Sequence, residues 1–150
     1  MRATAEIAEL RPDAVVTLAS RDVRVGLTEQ TPAGFVEQWR QLQSLGIPVL
    51  ALRDNPRFDS SMPDCVQNVS LACGAPRAEL YTVDPPWTRI PDLPSNVVFL
   101  DIADAVCTPT FCPAEIGNVL VYIDDNHLSA SYSTSMAGLL GDATVAALSG

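Results

Sequence analysis

Apolar runs separated by polar or proline-rich stretches set the rhythm of this chain. Ala14-Val15-Val16-Thr17-Leu18-Ala19 is continuously apolar apart from one threonine, which predicts a strand buried on both faces. Ile47-Pro48-Val49-Leu50-Ala51-Leu52 predicts a second buried strand, its proline at the start, where a missing N–H is tolerated. Asn96-Val97-Val98-Phe99-Leu100-Asp101-Ile102 predicts a third, and Asn118-Val119-Leu120-Val121-Tyr122-Ile123 a short fourth apolar run. Helical spacing fills the gaps. Ala3, Ile7 and Leu10 stand at i, i+4 and i+7 of a short amphipathic helix that Pro12 stops. Thr31-Pro32 marks a second helix start, with a hydroxyl cap and proline at the first helical position. Phe35, Val36, Trp39 and Leu42 line that helix, and Gly46 closes it. Ser129 caps a last helix whose buried face is Tyr132, Met136, Leu139 and Leu140, with Gly138 and Gly141 weakening its end.

Residues 21–30 read as a polar loop, and residues 53–96 are rich in Pro, Asp and Ser. The second stretch is long for a structureless loop in a compact domain, so a short helix is expected within it, best placed at residues 76–81. Strand, helix, strand, loop, strand, helix is the order of an α/β domain with a parallel sheet and right-handed crossovers. A chain of 150 residues, 47% of them hydrophobic, fits one domain with a proper core.

Charge and cysteines narrow the setting. The net charge is −9, from 18 acidic and 9 basic residues, with the acids scattered singly or in pairs. That balance argues against nucleic acid, whose binding draws most of its affinity from basic stripes, and against anionic membrane surfaces. No apolar stretch is long enough to span a bilayer, and Glu6 and Glu9 interrupt the N-terminus where an export signal needs an apolar region, so no direct membrane insertion and no signal are expected. Cys65, Cys73, Cys107 and Cys112 have no CxxC spacing. Four cysteines allow three pairings; Cys65–Cys73 and Cys107–Cys112 need the least chain closure and are preferred. Disulfides place a protein in an oxidising compartment, four free thiols in a reducing one.

Candidate chemistry centres on the single histidine. His127 follows Tyr122-Ile123-Asp124-Asp125-Asn126, an apolar strand end running into an acidic turn. An aspartate three positions ahead can fix one imidazole tautomer and stabilise the imidazolium, making Asp124 and His127 an acid–base pair. The same pattern also occurs in ordinary surface turns. A metal reading of Asp124, Asp125 and His127 lacks a further ligand. No nucleophile accompanies the pair: the sequence has no Gly-Asp-Ser, no G-x-S-x-G elbow and no phosphate-cradling glycine loop, and no cofactor is expected. Ser20, after the first strand, and Ser60 and Ser61 lack the glycine neighbours of an oxyanion site. Arg53-Asp54-Asn55-Pro56-Arg57 is either a turn with a local ion pair or the wall of a polar site. Asn68-Val69-Ser70 matches a glycosylation sequon, and Trp39 and Trp87 read as packing residues.

These pieces resemble a family. Tyr122-Ile123-Asp124-Asp125-Asn126-His127-Leu128-Ser129 resembles the D-x-x-H block of SGNH (GDSL-type) hydrolases. The likeness extends to SGNH domains fused behind acyltransferase-3 membrane proteins, through Leu10-Arg11-Pro12-Asp13-Ala14-Val15-Val16, Leu52-Arg53-Asp54-Asn55-Pro56-Arg57, Pro63-Asp64-Cys65 and Cys112-Pro113-Ala114-Glu115-Ile116-Gly117-Asn118. The resemblance implies a flavodoxin-like α/β sandwich and an extracytoplasmic location, in the periplasm or cell envelope. It implies transfer of acyl groups from a donor to envelope carbohydrate or glycolipid, in partnership with an upstream membrane domain, with Asp124 as triad acid and His127 as base. The family's Gly-Asp-Ser strand, its glycine oxyanion block and its Gly-x-Asn-Asp block have no counterpart, and Leu18-Ala19-Ser20-Arg21 stands where the last would fall. Residues 1–150 are therefore expected to form a single, truncated domain, inactive alone, with residues 14–19 as an uncovered edge and the chain marginally stable or self-associating. The alternative is a non-catalytic extracytoplasmic module that binds carbohydrate or protein.

Overall fold

The computed structural model describes residues 2–68 and 72–149, so Val69 and Ser70 of the sequon lie outside the described residues. In chain order the elements are α1 (Arg2–Leu10), β1 (Val15–Leu18), α2 (Ala33–Ser44), β2 (Val49–Leu52), α3 (Met62–Gln67), β3 (Gly74–Pro76), α4 (Arg77–Leu80), β4 (Val97–Leu100), α5 (Ala103–Val106), β5 (Phe111–Pro113), β6 (Glu115–Ile116), β7 (Val119–Leu120), α6 (Ala130–Ser135) and α7 (Ala137–Leu148). A 3₁₀ turn, Pro86–Arg89, precedes β4.

The three longest apolar runs become one parallel sheet in the order β1-β2-β4. Val15, Val49 and Val97 stand in one row across it, and Leu18, Leu52 and Leu100 in another. This parallel α/β core agrees with the fold class read from the sequence. Strand β2 is central, and its first three residues are buried. One face packs on α2 through Trp39, Leu42, Val49, Ala51 and Trp87. There Phe99 stacks on Trp87 at 5.0 Å and meets the edge of Trp39 at 5.5 Å. Such aromatic pairs add about 0.5–1.5 kcal/mol beyond the area they bury. A second core, around Leu80, Val106, Cys112, Tyr122 and Met136, gathers the segments that follow β2 and β4.

Several elements depart from the pattern. Val16 and Leu18 are 57% and 41% exposed, so β1 is covered on one face only, contrary to the strand buried on both. It is the edge strand, and α7 covers the opposite face over β2, where Leu50 is buried between exposed Val16 and Val98. Helix α2 begins one residue late, with Pro32 as its cap, because the Thr31 hydroxyl donates to the Ala19 carbonyl (2.8 Å) instead. At its end Gly46 takes φ +71, a left-handed conformation suited to glycine, while its N–H reaches the Gln43 carbonyl. Leu10 is exposed rather than packed. The expected helix at residues 76–81 is α4, but residues 53–96 also hold α3, capped by Ser61, and β3, which pairs antiparallel with the distant β5. The fourth apolar run joins no parallel sheet: it is half of the β6–β7 hairpin, whose turn places Gly117 and Asn118 at positive φ, followed by buried Val121 and Tyr122. The last helix breaks at Met136 and then runs through both glycines to Leu148, with Leu139 exposed.

The cysteines pair as Cys65–Cys73 and Cys107–Cys112, the two local bridges preferred from the sequence. Both sit in the long connections, where so little regular structure would otherwise hold the chain.

Candidate functional site

The turn carrying the histidine is fixed by its own aspartate. The carboxylate Oδ1 of Asp124 accepts the backbone N–H groups of Asn126 (2.8 Å) and His127 (2.7 Å). Its Oδ2 lies 2.6 Å from Nδ1 of the His127 ring. Backbone pairing closes the base of the turn, with the Ile123 N–H reaching the His127 carbonyl at 2.8 Å. Downstream, the Ser129 hydroxyl donates to the Leu120 carbonyl (2.6 Å) and accepts the Tyr132 N–H (3.1 Å), so helix α6 starts at a set place after the histidine. With Nδ1–H donated to the carboxylate, the neutral ring presents Nε2 as an acceptor, and the side chain is 70% exposed. That is the geometry a general base needs.

The Asp124 carboxyl is held down at about 2 by the Asn126 N–H first, then the His127 ring and the His127 N–H. A lowered carboxyl pKa favours the folded state once the unfolded chain's carboxyl is ionised, above its ordinary 3.8, and that contribution disappears as pH falls through about 2. Carboxyl-carbon NMR should accordingly find Asp124 titrating near 2; a value at or above the ordinary 3.8 would mean the turn does not hold in solution.

The segment after β2 clasps this turn. The Asn55 side-chain amide donates to the Asn126 carbonyl at 2.6 Å, the Phe58 N–H to that of Asp125 at 2.9 Å, and the Met62 N–H to that of Asp124 at 3.1 Å. Three successive carbonyls of the histidine turn are thereby tied to the C-terminal side of the central strand. Phe58 adds an edge contact with Tyr122, centroids 5.3 Å apart. None of these partners was nominated from the sequence as a positioning group, because each lies roughly sixty or more residues from the turn it holds.

A cleft of about 470 Å³ opens between the strand ends and the turn, bordered by Leu18, Arg21, Asp54, Asn55, Arg57 and His127. Its place beyond the carboxyl ends of parallel strands is where open α/β sheets bind ligands. Burial raises the Asp54 carboxyl above its ordinary value, against the pull of the Asn55 N–H and of Arg57.

Beneath the cleft lies a charge network. Arg53, 1% exposed, sends its guanidinium to Glu29 (2.7 Å) and Asp101 (2.8 Å), donates to the Thr82 carbonyl (3.1 Å) and lies over the Tyr81 ring at 4.5 Å. The 53–57 motif thus divides: Arg53 makes ion pairs with Glu29 and Asp101, neither of them a sequence neighbour, while Asp54, Asn55 and Arg57 form a polar wall. Its signal was the placement of Arg53 and Asp101 directly after two adjacent apolar strands.

The candidate serines stay apart from His127. Ser20 is fully buried, donating to Glu29 (2.6 Å) and accepting the Asp54 N–H (3.0 Å). Ser61 caps α3, and exposed Ser60 borders a different cleft. Among the described residues no group of three or more His, Cys, Asp or Glu side chains is placed to hold a metal ion, and no helix is long and apolar enough to cross a membrane.

Comparison with known proteins adds the relationships. The family profile described as "SGNH domain (fused to AT3 domains)" matches residues 2–142. The chain superposes on the periplasmic domain of a lipopolysaccharide acetyltransferase from Salmonella ser. Paratyphi A with a TM-score of 0.63 at 10% identity. The match covers 96% of this chain and 61% of that structure, so the chain spans less than two thirds of the protein it resembles. At such low identity the likeness establishes the fold. No curated protein matches the chain.

Proposed function

Because the chain belongs to the SGNH domains of acyltransferase-3 fusion proteins, we propose that it forms the acid–base side of an acyl-transfer site acting outside the cytoplasm on envelope carbohydrate or glycolipid. The observation that carries this reading is the 2.6 Å Asp124–His127 contact with Nε2 left open beside a cleft at the strand ends. His127 would take the proton of a serine hydroxyl as its Oγ attacks the donor's acyl carbonyl, and return it to the leaving group. The acyl-serine would then be opened by a sugar hydroxyl, whose proton passes to His127 and back to the serine. Asp124 supports the imidazolium that forms in each half.

The serine in this reading comes from a further strand laid along the open edge of β1. Two features support that placement: β1 is paired on one side only in the sheet order β1-β2-β4, and Leu18 borders the cleft that His127 shares. Two disulfides and the periplasmic setting of the structural neighbour support an oxidising, extracytoplasmic location. The acyl donor would reach the site through the fused acyltransferase-3 domain.

A fluorophosphonate probe tests the reading. With the intact fusion protein it should label one serine outside these 150 residues, and the 150-residue chain alone should stay unlabelled. Labelling of Ser20, Ser60 or any other serine of this chain, or no labelled serine in the fusion protein, would overturn it.

A further inference from the structure

Four arginines of the described residues are buried or half-buried: Arg24, Arg53, Arg57 and Arg77. Three of them face carboxylates, Arg24 with Asp59 (3.8 Å), Arg53 with Glu29 and Asp101, and Arg77 with Asp104 (2.6 Å). Arg57 differs. Among the described residues its guanidinium has no ion pair within 4.0 Å and no hydrogen bond. Its backbone is nonetheless fixed, the N–H donating to the Val23 carbonyl at 2.8 Å, next to buried Pro56. The side chain borders the cleft that contains His127. The other arginine of that cleft, Arg21, is taken up by Asp22 at 2.9 Å.

We propose that Arg57 is an oxyanion-recognising group of this cleft, and that the acceptor carries a carboxylate or phosphate on the sugar whose hydroxyl reaches His127. The inference rests on the acyl-transfer reading for the hydroxyl and on the Arg57 geometry for the anion. A guanidinium offers five donors in a planar fork that matches either oxyanion with two parallel hydrogen bonds. Partial burial strengthens such a contact relative to water, whereas the chain's −9 charge acts on it weakly. At physiological ionic strength, fields fade over about 8 Å, so remote surface carboxylates are screened. Asp54 is the local competitor. It borders the same cleft and its charge is felt by Arg57, yet no ion pair joins them, and burial disfavours its ionised form.

The test is NMR-monitored titration of the 150-residue chain with glucuronate, glucose 6-phosphate and glucose. The two anions should saturate a site that moves the Arg57 Nε–H and His127 ring signals, and neutral glucose should bind about tenfold more weakly or not at all. Whichever anion binds tighter identifies carboxylate or phosphate as the recognised group. Arg57→Gln should lower anion affinity about tenfold or more, Arg57→Lys should lose only part of it, and Asp54→Asn should raise it. Equal affinity for glucose and the anions, an unchanged anion affinity in Arg57→Gln, or a loss in Asp54→Asn equal to that in Arg57→Gln overturns the proposal. Arg57→Lys serves as the check that the fold survives. Fluorophosphonate labelling of the fusion protein should survive Arg57→Gln, so a failed acyl-transfer reading and a failed anion subsite give different results.

Discussion

Arg53→Ala should cost this domain about 3–5 kcal/mol, the range for removing one partner of a buried ion pair. Folded domains are stable by only about 5–15 kcal/mol in total, so the loss is a large share of what exists. The reason lies in what remains. The Glu29 side chain is 3% exposed and would be left buried with no cation beside it. Burial itself works to lower the Arg53 pKa, but the hydrogen bonds and charges of Glu29 and Asp101 outweigh it and the net shift is upward. Asp101 contributes less, because its side chain is 40% exposed and water can replace the arginine there. The ring of Tyr81 would also lose the guanidinium stacked on it at 4.5 Å.

Thermal unfolding reads the effect directly. A chain of this size loses roughly 2–4 °C of Tm per kcal/mol, so Arg53→Ala should melt roughly 6–20 °C lower. Arg53→Lys keeps the charge and loses the fork, and should fall between. The pair Glu29→Gln with Arg53→Met removes both charges and should recover much of the loss, since a buried pair is costly to break and cheap to replace whole. A single Arg53→Ala variant within about 1 kcal/mol of the parent would show that the network is solvated and structurally idle.

The same residues explain what the sequence could and could not disclose. Strands β1, β2 and β4 were legible because a run of four residues, apolar but for Thr17 in β1, is a local property. Exposure of β1 was not, because cover on a strand's second face comes from elements far away along the chain, and here α7 packs over β2 while Val16 and Leu18 stay exposed. The Asp124–His127 pair was legible because its hydrogen bonds join positions three apart or closer. Arg53 and its partners were not: Glu29 is 24 positions away and Asp101 48. Asn55 is 71 positions from the carbonyl it holds. The glycines of α7 misled for a different reason. A glycine costs a helix interior only about 1 kcal/mol, and a run as apolar as Ala137–Leu148 can absorb two. The fourth apolar run misled because Gly117 and Asn118 allow a tight turn that folds it back on β6 before it can extend.

His127→Ala in the intact fusion protein should reduce acyl transfer to envelope carbohydrate by about a thousandfold or more. Without the imidazole the cleft loses the chain's one histidine, and the groups that remain are less suited to take a serine proton and return it. Asp22 and Asp54 are carboxyls, Arg21 and Arg57 cations, and Asn55 and Asn126 amides. Asp124→Asn separates the two halves of the pair. An asparagine oxygen still accepts the Asn126 and His127 N–H groups, so the turn keeps its shape. Its amide nitrogen then faces the ring as a donor and drives the proton of the neutral imidazole onto Nε2, the atom that must accept. The loss should therefore be large, up to about 10⁴-fold in comparable triads, and smaller where, as here, the open ring can reorient. Because Asp124 stays ionised down to about pH 2, an acidic limb in the pH–rate profile at milder pH belongs to another group. Retention of more than about a tenth of the parent's transfer by His127→Ala, with the protein folded and anchored as before, would remove the pair from the reaction and leave the cleft as a binding surface.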